Sequence, residues 1–224
     1  MASKKSNKIG IYDFCENIYV FNIIKANSEC LDVGCWTGNL GKKLIEEKQC
    51  VVDGVDFNAE VLKKAKNRGY REVFNINLNC NPEAIKKINK KYDCIICADV
   101  LEHLADPEII LSLLMKKMKT EGVIISSIPN IGFLKQRVEL LFGKFEYNPA
   151  GGLMDKTHLR FFTAKSLRAL YEKAGFRVES FRGYSLVKNK YFFLRFLAKL
   201  WPSLFALQFL AVAKLSDKQN HILK

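Results

Sequence analysis

Apolar and polar positions alternate along this chain in two kinds of block. Short, mostly β-branched or aliphatic runs read as buried strands, and longer stretches with apolar residues three or four apart read as helices. The first such run, Glu29–Val33, stops at a glycine-bearing loop, and a helix is expected over 39–47. A strand at 51–55, a helix at 58–67 and a third strand at 72–76 follow. A fourth strand is expected at 92–97 and a fifth at 123–127, the latter ending in Ile128-Pro129-Asn130. Asn81-Pro82 and Asp106-Pro107 each read as an N-cap followed by a proline at the first helical position. The second opens a helix to about residue 118, with Ile109, Ile110, Leu113 and Leu114 on one stripe. Strands alternating with helices predict an α/β fold around a mainly parallel sheet.

The second half is less regular. A helix over the sheet edge is expected at 133–142, then a loop or lid at 143–152 carrying glycines, a proline and two aromatics. Thr163 should cap a helix that runs to Ala174, where Gly175 stops it. Strands are expected at 176–181 and 205–215. No repeat, low-complexity tract or linker divides the chain. The reading is one domain over 1–224, with 1–28 as an N-terminal helical extension and 131–162 as a lid or substrate region.

Composition narrows the class. With 224 residues and 49% hydrophobic content the chain can bury a sizeable core. No apolar run reaches the ~20 residues of a membrane span, and Met-Ala-Ser-Lys-Lys lacks the apolar stretch of a secretory signal. Seven scattered cysteines, an odd count, predict free thiols and a cytoplasmic location. Cys94 and Cys97 resemble a metal-binding pair, but three residues apart on a strand they point to opposite faces and read as core thiols. Metal sites of the catechol type need converging acids; Asp99 is available, but Asn130 follows a proline rather than an aspartate, so no metal is expected. The net charge of +13 favours anionic partners, yet the lysines are spread along the chain. That distribution predicts a solvated basic surface, and nucleic acid is not an expected partner.

Chemistry concentrates in Leu31-Asp32-Val33-Gly34-Cys35-Trp36-Thr37-Gly38-Asn39-Leu40. This loop leaves the first strand and opens the first helix, the ligand crevice of open α/β sheets. Gly34 and Gly38 allow sharp turns and close backbone approach. A dinucleotide site is the competitor, with its G-x-G-x-x-G pattern against a helix N-terminus. Trp36 stands at the second glycine position and would hold a pyrophosphate away, and Asp32 would repel it. The same carboxylate suits an ammonium group, so the charge pattern favours S-adenosylmethionine (SAM), which has an ammonium and a sulfonium and no phosphate, over NAD. Asp56 ends the second strand about 20 residues beyond the loop, where an acid can accept from both ribose hydroxyls; its alternative role is a helix N-cap.

These segments, together with Tyr92-Asp93-Cys94-Ile95-Ile96-Cys97-Ala98-Asp99-Val100-Leu101-Glu102-His103-Leu104 and Ser127-Ile128-Pro129-Asn130, resemble class I SAM-dependent methyltransferases. The pattern is nearest to the ubiquinone-biosynthesis O-methyltransferase type and to methyltransferases associated with bacterial surface polysaccharides. The resemblance implies a Rossmann-like seven-stranded sheet of order 3-2-1-4-5-7-6, with strand seven antiparallel, formed by 205–215, and helices on both faces. It implies that Gly34, Cys35, Trp36 and Gly38 hold the methionine part, with Asp32 near the amino group. Asp56 would take the ribose, Phe57 would pack on the adenine, and Asn77 and Leu78 would read its amine. Ala98 and Asp99 would line the crevice. Cys35 and Trp36 depart from the family's more frequent glycine-containing pair.

Methyl transfer to a hydroxyl also needs a base. His103 follows the fourth strand beside the expected crevice. His158 lies in Thr157-His158-Leu159-Arg160-Phe161-Phe162, a segment that in the polysaccharide-associated relatives borders the substrate pocket. His158 is the preferred base or acceptor contact, with Asp155 orienting it, His103 as the alternative, and Arg160 available to an anionic group. The plainer roles are a helix cap for His103 and loop ordering for the Asp155–His158 pair. The expected acceptor is a small molecule or saccharide. Basic and aromatic residues at 188–201 suit either a helix packed on the sheet or a peripheral membrane contact, which would favour a lipid-linked acceptor. RNA methylation, and a SAM-binding accessory role of the methionine-biosynthesis type, are the competing functions.

Overall fold

The computed structural model describes residues 17–149, 151–184, 196–197, 199–217 and 219. Seven strands form one sheet: β1 Glu29–Val33, β2 Val51–Asp56, β3 Val73–Asn75, β4 Tyr92–Ala98, β5 Met118–Pro129, β6 Phe176–Tyr184 and β7 Gln208–Leu215. Their order is β3-β2-β1-β4-β5-β7-β6. The first five pair in parallel, while β7 runs antiparallel to both β5 and β6. The chain winds outward from β1 to β3, returns to β4 beside β1, and so creates a switch point at the carboxyl ends of β1 and β4. Ligands of open α/β sheets bind at such a point.

Helices α1 Ile18–Ile23, α2 Asn39–Lys48, α3 Ala59–Asn67, α4 Pro107–Met115, α5 Leu134–Leu141 and α6 Ala164–Lys173 surround the sheet. Apolar side chains enclose it on both faces. Leu31, Val33, Ile95, Cys97 and Phe209 enter one core cluster, while Cys30, Val52, Cys94 and Ile96 enter the other. Burial on both sides explains why the strands read as nearly continuous apolar runs. Cys94 and Cys97 fall in opposite cores, as their spacing requires.

Helix starts follow the expected signals with one exception. Asn58 caps α3, Asp106 caps α4 through Ile109 N–H at 3.1 Å, and Thr163 and Ser166 close a capping box on α6. Asn81 makes no side-chain cap, and Pro82–Lys87 winds as a 3-10 helix instead. Helix α4 ends at Met115 rather than 118, because Met118 already pairs with Tyr92 in a β5 much longer than 123–127. The polar stretch Lys119-Thr120-Glu121-Gly122 hides that extension, and the register shifts where it passes Tyr92 and Cys94. On α4, Ile110, Leu113 and Leu114 are buried, but Ile109 is 48% exposed and stands outside the stripe. Helix α5 forms without laying its apolar residues on the sheet: Val138, Leu140 and Leu141 are exposed, and Gln136 is its buried residue. Much of 188–201 and most of the 1–28 extension lie outside the described residues.

Candidate active site

Backbone conformation shapes the loop after β1. Gly34, Trp36 and Gly38 all have positive φ, at 69°, 49° and 82°. A Cβ on Gly34 would lie 2.6 Å from Val100 Cγ2, so this glycine lets the loop close on the segment after β4. A Cβ on Gly38 would lie 2.8 Å from the Ala65 Cα, so this glycine serves the approach of α3. Gly34 and Cys35 N–H groups donate to the Val55 carbonyl at 2.7 and 3.1 Å, tying the loop to β2. Thr37 Oγ1 is buried with no hydrogen-bond partner. A buried hydroxyl in that condition fits a polar ligand group.

Asp56 is buried and its carboxylate accepts from two backbone donors. Oδ2 takes Trp36 N–H at 3.1 Å and Oδ1 takes Asn58 N–H at 2.9 Å. It therefore organises both the loop and the entry to α3, while Asn58 is the residue that caps the helix. Asp32 is buried beneath the loop and accepts from the Tyr70 hydroxyl at 2.6 Å, and the Tyr70 oxygen accepts from Gly41 N–H at 3.1 Å. Burial pushes the Asp32 carboxyl up to about 7 against the lowering effect of the Tyr70 hydrogen bond, and the charge of Asp56 adds to the rise. Tyr70 carried no sequence signal; its place in the site depends wholly on α3 bringing it beneath β1 and α2.

Phe57 is 66% exposed at the β2 end, with its ring open to a planar partner. Asn77 Oδ1 accepts from Asn79 and Cys80 N–H groups, at 3.0 and 3.2 Å, so it braces its own turn. Leu78 packs against the larger core. Asn79, unnoticed in the sequence, bridges to the segment after β4 through the His103 carbonyl and Ala105 N–H. Ala98 packs against the smaller core. Asp99 has φ 54° and accepts from Gln208 Nε2 at 2.6 Å and Ser127 Oγ at 3.3 Å. Burial raises its carboxyl to about 6, against the lowering effect of these donors.

Asp32, Asp56, Asp99 and Glu102 thus lie at or just beyond the carboxyl ends of β1, β2 and β4. A protein of net charge +13 gathers four carboxyl groups along the carboxyl edge of its parallel strands. That arrangement repels phosphate and suits a cation. Together with the partnerless Thr37 hydroxyl, it fits SAM and argues against a dinucleotide.

The fold brings the two candidate histidines together. Glu102 and His103 lie in the 3-10 turn Leu101–His103, two and three residues beyond the Val100 that meets Gly34. Leu159 and Arg160 N–H groups both donate to the Glu102 carbonyl, at 2.8 and 3.0 Å, and fasten the 157–160 segment to that turn. The His103 and His158 rings meet edge to face at 4.8 Å between centroids. His103 Nδ1 lies 3.1 Å from the Thr157 carbonyl, and His158 Nδ1 lies 3.1 Å from the Leu153 carbonyl. The Leu153 carbonyl therefore orients the His158 ring. Asp155 Oδ1 accepts from Thr157 N–H and Oγ1 at 2.8 and 2.7 Å and orders the turn. Arg160 donates to the Ala105 carbonyl and also braces the turn. Burial, and secondarily the neighbouring His103 imidazole, lower the His158 imidazole below its ordinary value. Glu102, to which the sequence assigns no role, has a buried side chain with both carboxylate oxygens unpartnered.

Comparison with known proteins agrees with this architecture. Residues 10–180 match a family described as a methyltransferase domain. A ubiquinone biosynthesis O-methyltransferase of Coxiella burnetii is 28% identical over 166 residues, covering 72% of this chain and 69% of that protein. A SAM-dependent methyltransferase from Archaeoglobus fulgidus superposes with a TM-score of 0.60 at 22% identity, covering 88% of this chain and 89% of that one. Magnesium protoporphyrin IX methyltransferase from Synechocystis, solved with bound SAM, superposes at 0.55 and 15% identity, covering 90% and 76%. By the extent of the family match and by its sheet order, the chain belongs to the methyltransferase-domain family and is a class I SAM-dependent methyltransferase.

Proposed function

We propose that this enzyme methylates a hydroxyl oxygen of a small molecule or saccharide, free or lipid-linked. The pairing of His103 with His158 beside the crevice carries the proposal. In its neutral form, which burial favours, the His158 imidazole can accept the proton of an acceptor hydroxyl. Each ring is held through Nδ1, which leaves Nε2 for the acceptor. The O-methyltransferase names of the curated relatives support oxygen as the acceptor atom.

SAM supplies a methyl group already activated by the sulfonium. The residues of this chain align the reactants and exclude water. Gly34, Cys35, Trp36, Thr37 and Gly38 would hold the methionine part, and Asp32 would meet the ammonium. Asp56 would accept from the ribose hydroxyls, Phe57 would cover the adenine, and Asn77 and Leu78 would border it. Ala98 and Asp99 would line the floor. We take 131–162 as the region that closes over the acceptor, within one domain spanning the chain. The test is methyl transfer from labelled SAM to phenolic, saccharide and lipid-linked acceptors, with the methylated atom identified. A product methylated only on nitrogen or carbon would overturn the reading.

A peripheral membrane contact through 188–201 has one observation in its favour. Phe196, Leu200 and Trp201 are exposed at 54%, 66% and 60%. Among the described residues no helix is long and apolar enough to cross a membrane, so the contact would lie at the surface.

A further inference from the structure

Glu102, His103 and His158 each offer a ligand atom, and these atoms lie within 4.8 Å of one another. We propose that the three side chains form a binding site for a single divalent transition-metal ion, with Zn²⁺, Fe²⁺, Mn²⁺ or Co²⁺ the chemical class. Two imidazoles and one carboxylate suit these ions, and fewer ligands than the ion's full set leave positions open for water or an acceptor oxygen.

The independent observation is Glu102. Its residue is 1% exposed, and neither carboxylate oxygen has a hydrogen-bond partner. A buried carboxylate without a partner is costly, and a bound cation is one of the arrangements that resolves the cost. The remaining parts of the cluster are already braced. His103 is held at Thr157 and His158 at Leu153, and the Glu102 carbonyl gathers Leu159 and Arg160. Such outer contacts are what fix ligand rings around a metal. A tetrahedral site with bonds of ~2.1 Å needs ligand atoms ~3.4 Å apart. The widest pair, no more than 4.8 Å apart, must therefore close by up to about 1.4 Å when the ion binds.

The inference goes beyond the choice of acceptor. With an ion bound, the two imidazoles would be ligands rather than bases, and the ion would lower the pKa of a bound acceptor hydroxyl, whose proton would pass to solvent water. Because binding is measured without an acceptor, the metal inference and the base reading can fail separately.

The full chain, stripped with chelator, is titrated with Co²⁺ and followed by its visible absorption. The expected result is saturation at one equivalent, with displacement by Zn²⁺. Glu102→Gln, His103→Ala and His158→Ala should each weaken Co²⁺ binding by at least about tenfold. Cys80→Ser, which removes the one exposed thiol among the described residues, should leave it unchanged. SAM affinity and circular dichroism report whether each variant is folded. Glu102→Gln adds a second readout: the rise in thermal stability that Zn²⁺ gives the wild type should vanish. Absence of saturable Co²⁺ binding to the wild type would overturn the inference. So would binding that survives both Glu102→Gln and His158→Ala in folded protein.

Discussion

Tyr70 donates a 2.6 Å hydrogen bond to Asp32 although the two lie 38 residues apart, and the same hydroxyl oxygen accepts from Gly41 at the start of α2. One phenol therefore joins the floor of the crevice, the first turns of α2 and the end of α3. Tyr70→Phe keeps the ring and removes the hydroxyl, leaving a buried carboxyl without its donor. The expected loss is about 1.5–3 kcal/mol of stability, the range for hydrogen bonds to charged groups. SAM affinity should fall as well, since Asp32 is no longer aimed. Chemical denaturation and calorimetric titration check both; an unchanged midpoint would show that the contact is without consequence.

Gly41 makes a sharper test, because two effects oppose each other there. Alanine is the better helix former by about 1 kcal/mol. A Cβ at this position, however, would stand 2.1 Å from the Tyr70 oxygen and 2.2 Å from its Cζ. The Tyr70 ring is almost wholly buried and has little room to retreat. Gly41→Ala should therefore destabilise, and Gly41→Ala combined with Tyr70→Phe should destabilise by less than the sum of the two changes. A more stable Gly41→Ala protein would contradict this packing.

Acidity follows from Asp32. Its folded value, raised to about 7, lies above the unfolded value of about 3.9. Protonated Asp32 thus contributes stability that is full below about pH 4 and is lost as the pH rises through about 7. The urea midpoint of the wild type should fall between about pH 4 and about pH 7 more steeply than that of Asp32→Asn. Parallel curves would remove Asp32 as the cause. A bound ammonium has the opposite demand, because it favours the carboxylate. SAM should bind more tightly above about pH 7 than below it and release a proton on binding, measurable as a buffer-dependent heat.

Asp56→Ala should weaken SAM binding by about 1.5–3 kcal/mol. The carboxylate would be lost to the ribose hydroxyls, and Trp36 N–H would lose its acceptor. NAD should bind far more weakly than SAM to the wild type; equal affinity in calorimetric titration would refute the assignment of the crevice. His158→Ala should slow methyl transfer by about 10²–10⁴-fold with SAM affinity nearly intact. If His103→Ala alone abolishes turnover, the base stands beside β4 instead.

At the C-terminal segment, binding to anionic vesicles should decline with salt and with Trp201→Glu. Leu141→Glu on the exposed end of α5 separates the two apolar surfaces: if it has the larger effect, α5 rather than 188–201 meets the lipid. A folded wild type that ignores such vesicles would remove the contact.

Local patterning was enough for the parallel half of the sheet and for the loop after β1. Strand runs, proline-marked helix starts and the Gly34–Gly38 spacing act over a few residues, and side-chain period and backbone φ are local properties. Asp32, Asp56 and the histidines could be named for their residue type and position. Tertiary structure alone decided which groups meet. Tyr70 reaches Asp32 only through the packing of α3, and Gln208 reaches Asp99 only because β7 inserts antiparallel beside β5. His103 and His158, 55 residues apart, become neighbours because the Glu102 carbonyl holds 159–160 against the turn after β4. In sequence Glu102 is one residue of the Leu101-Glu102-His103 segment, with no role of its own. Burial by elements distant in the chain makes it a partnerless carboxylate, and burial is a property of the packed molecule that no short segment carries.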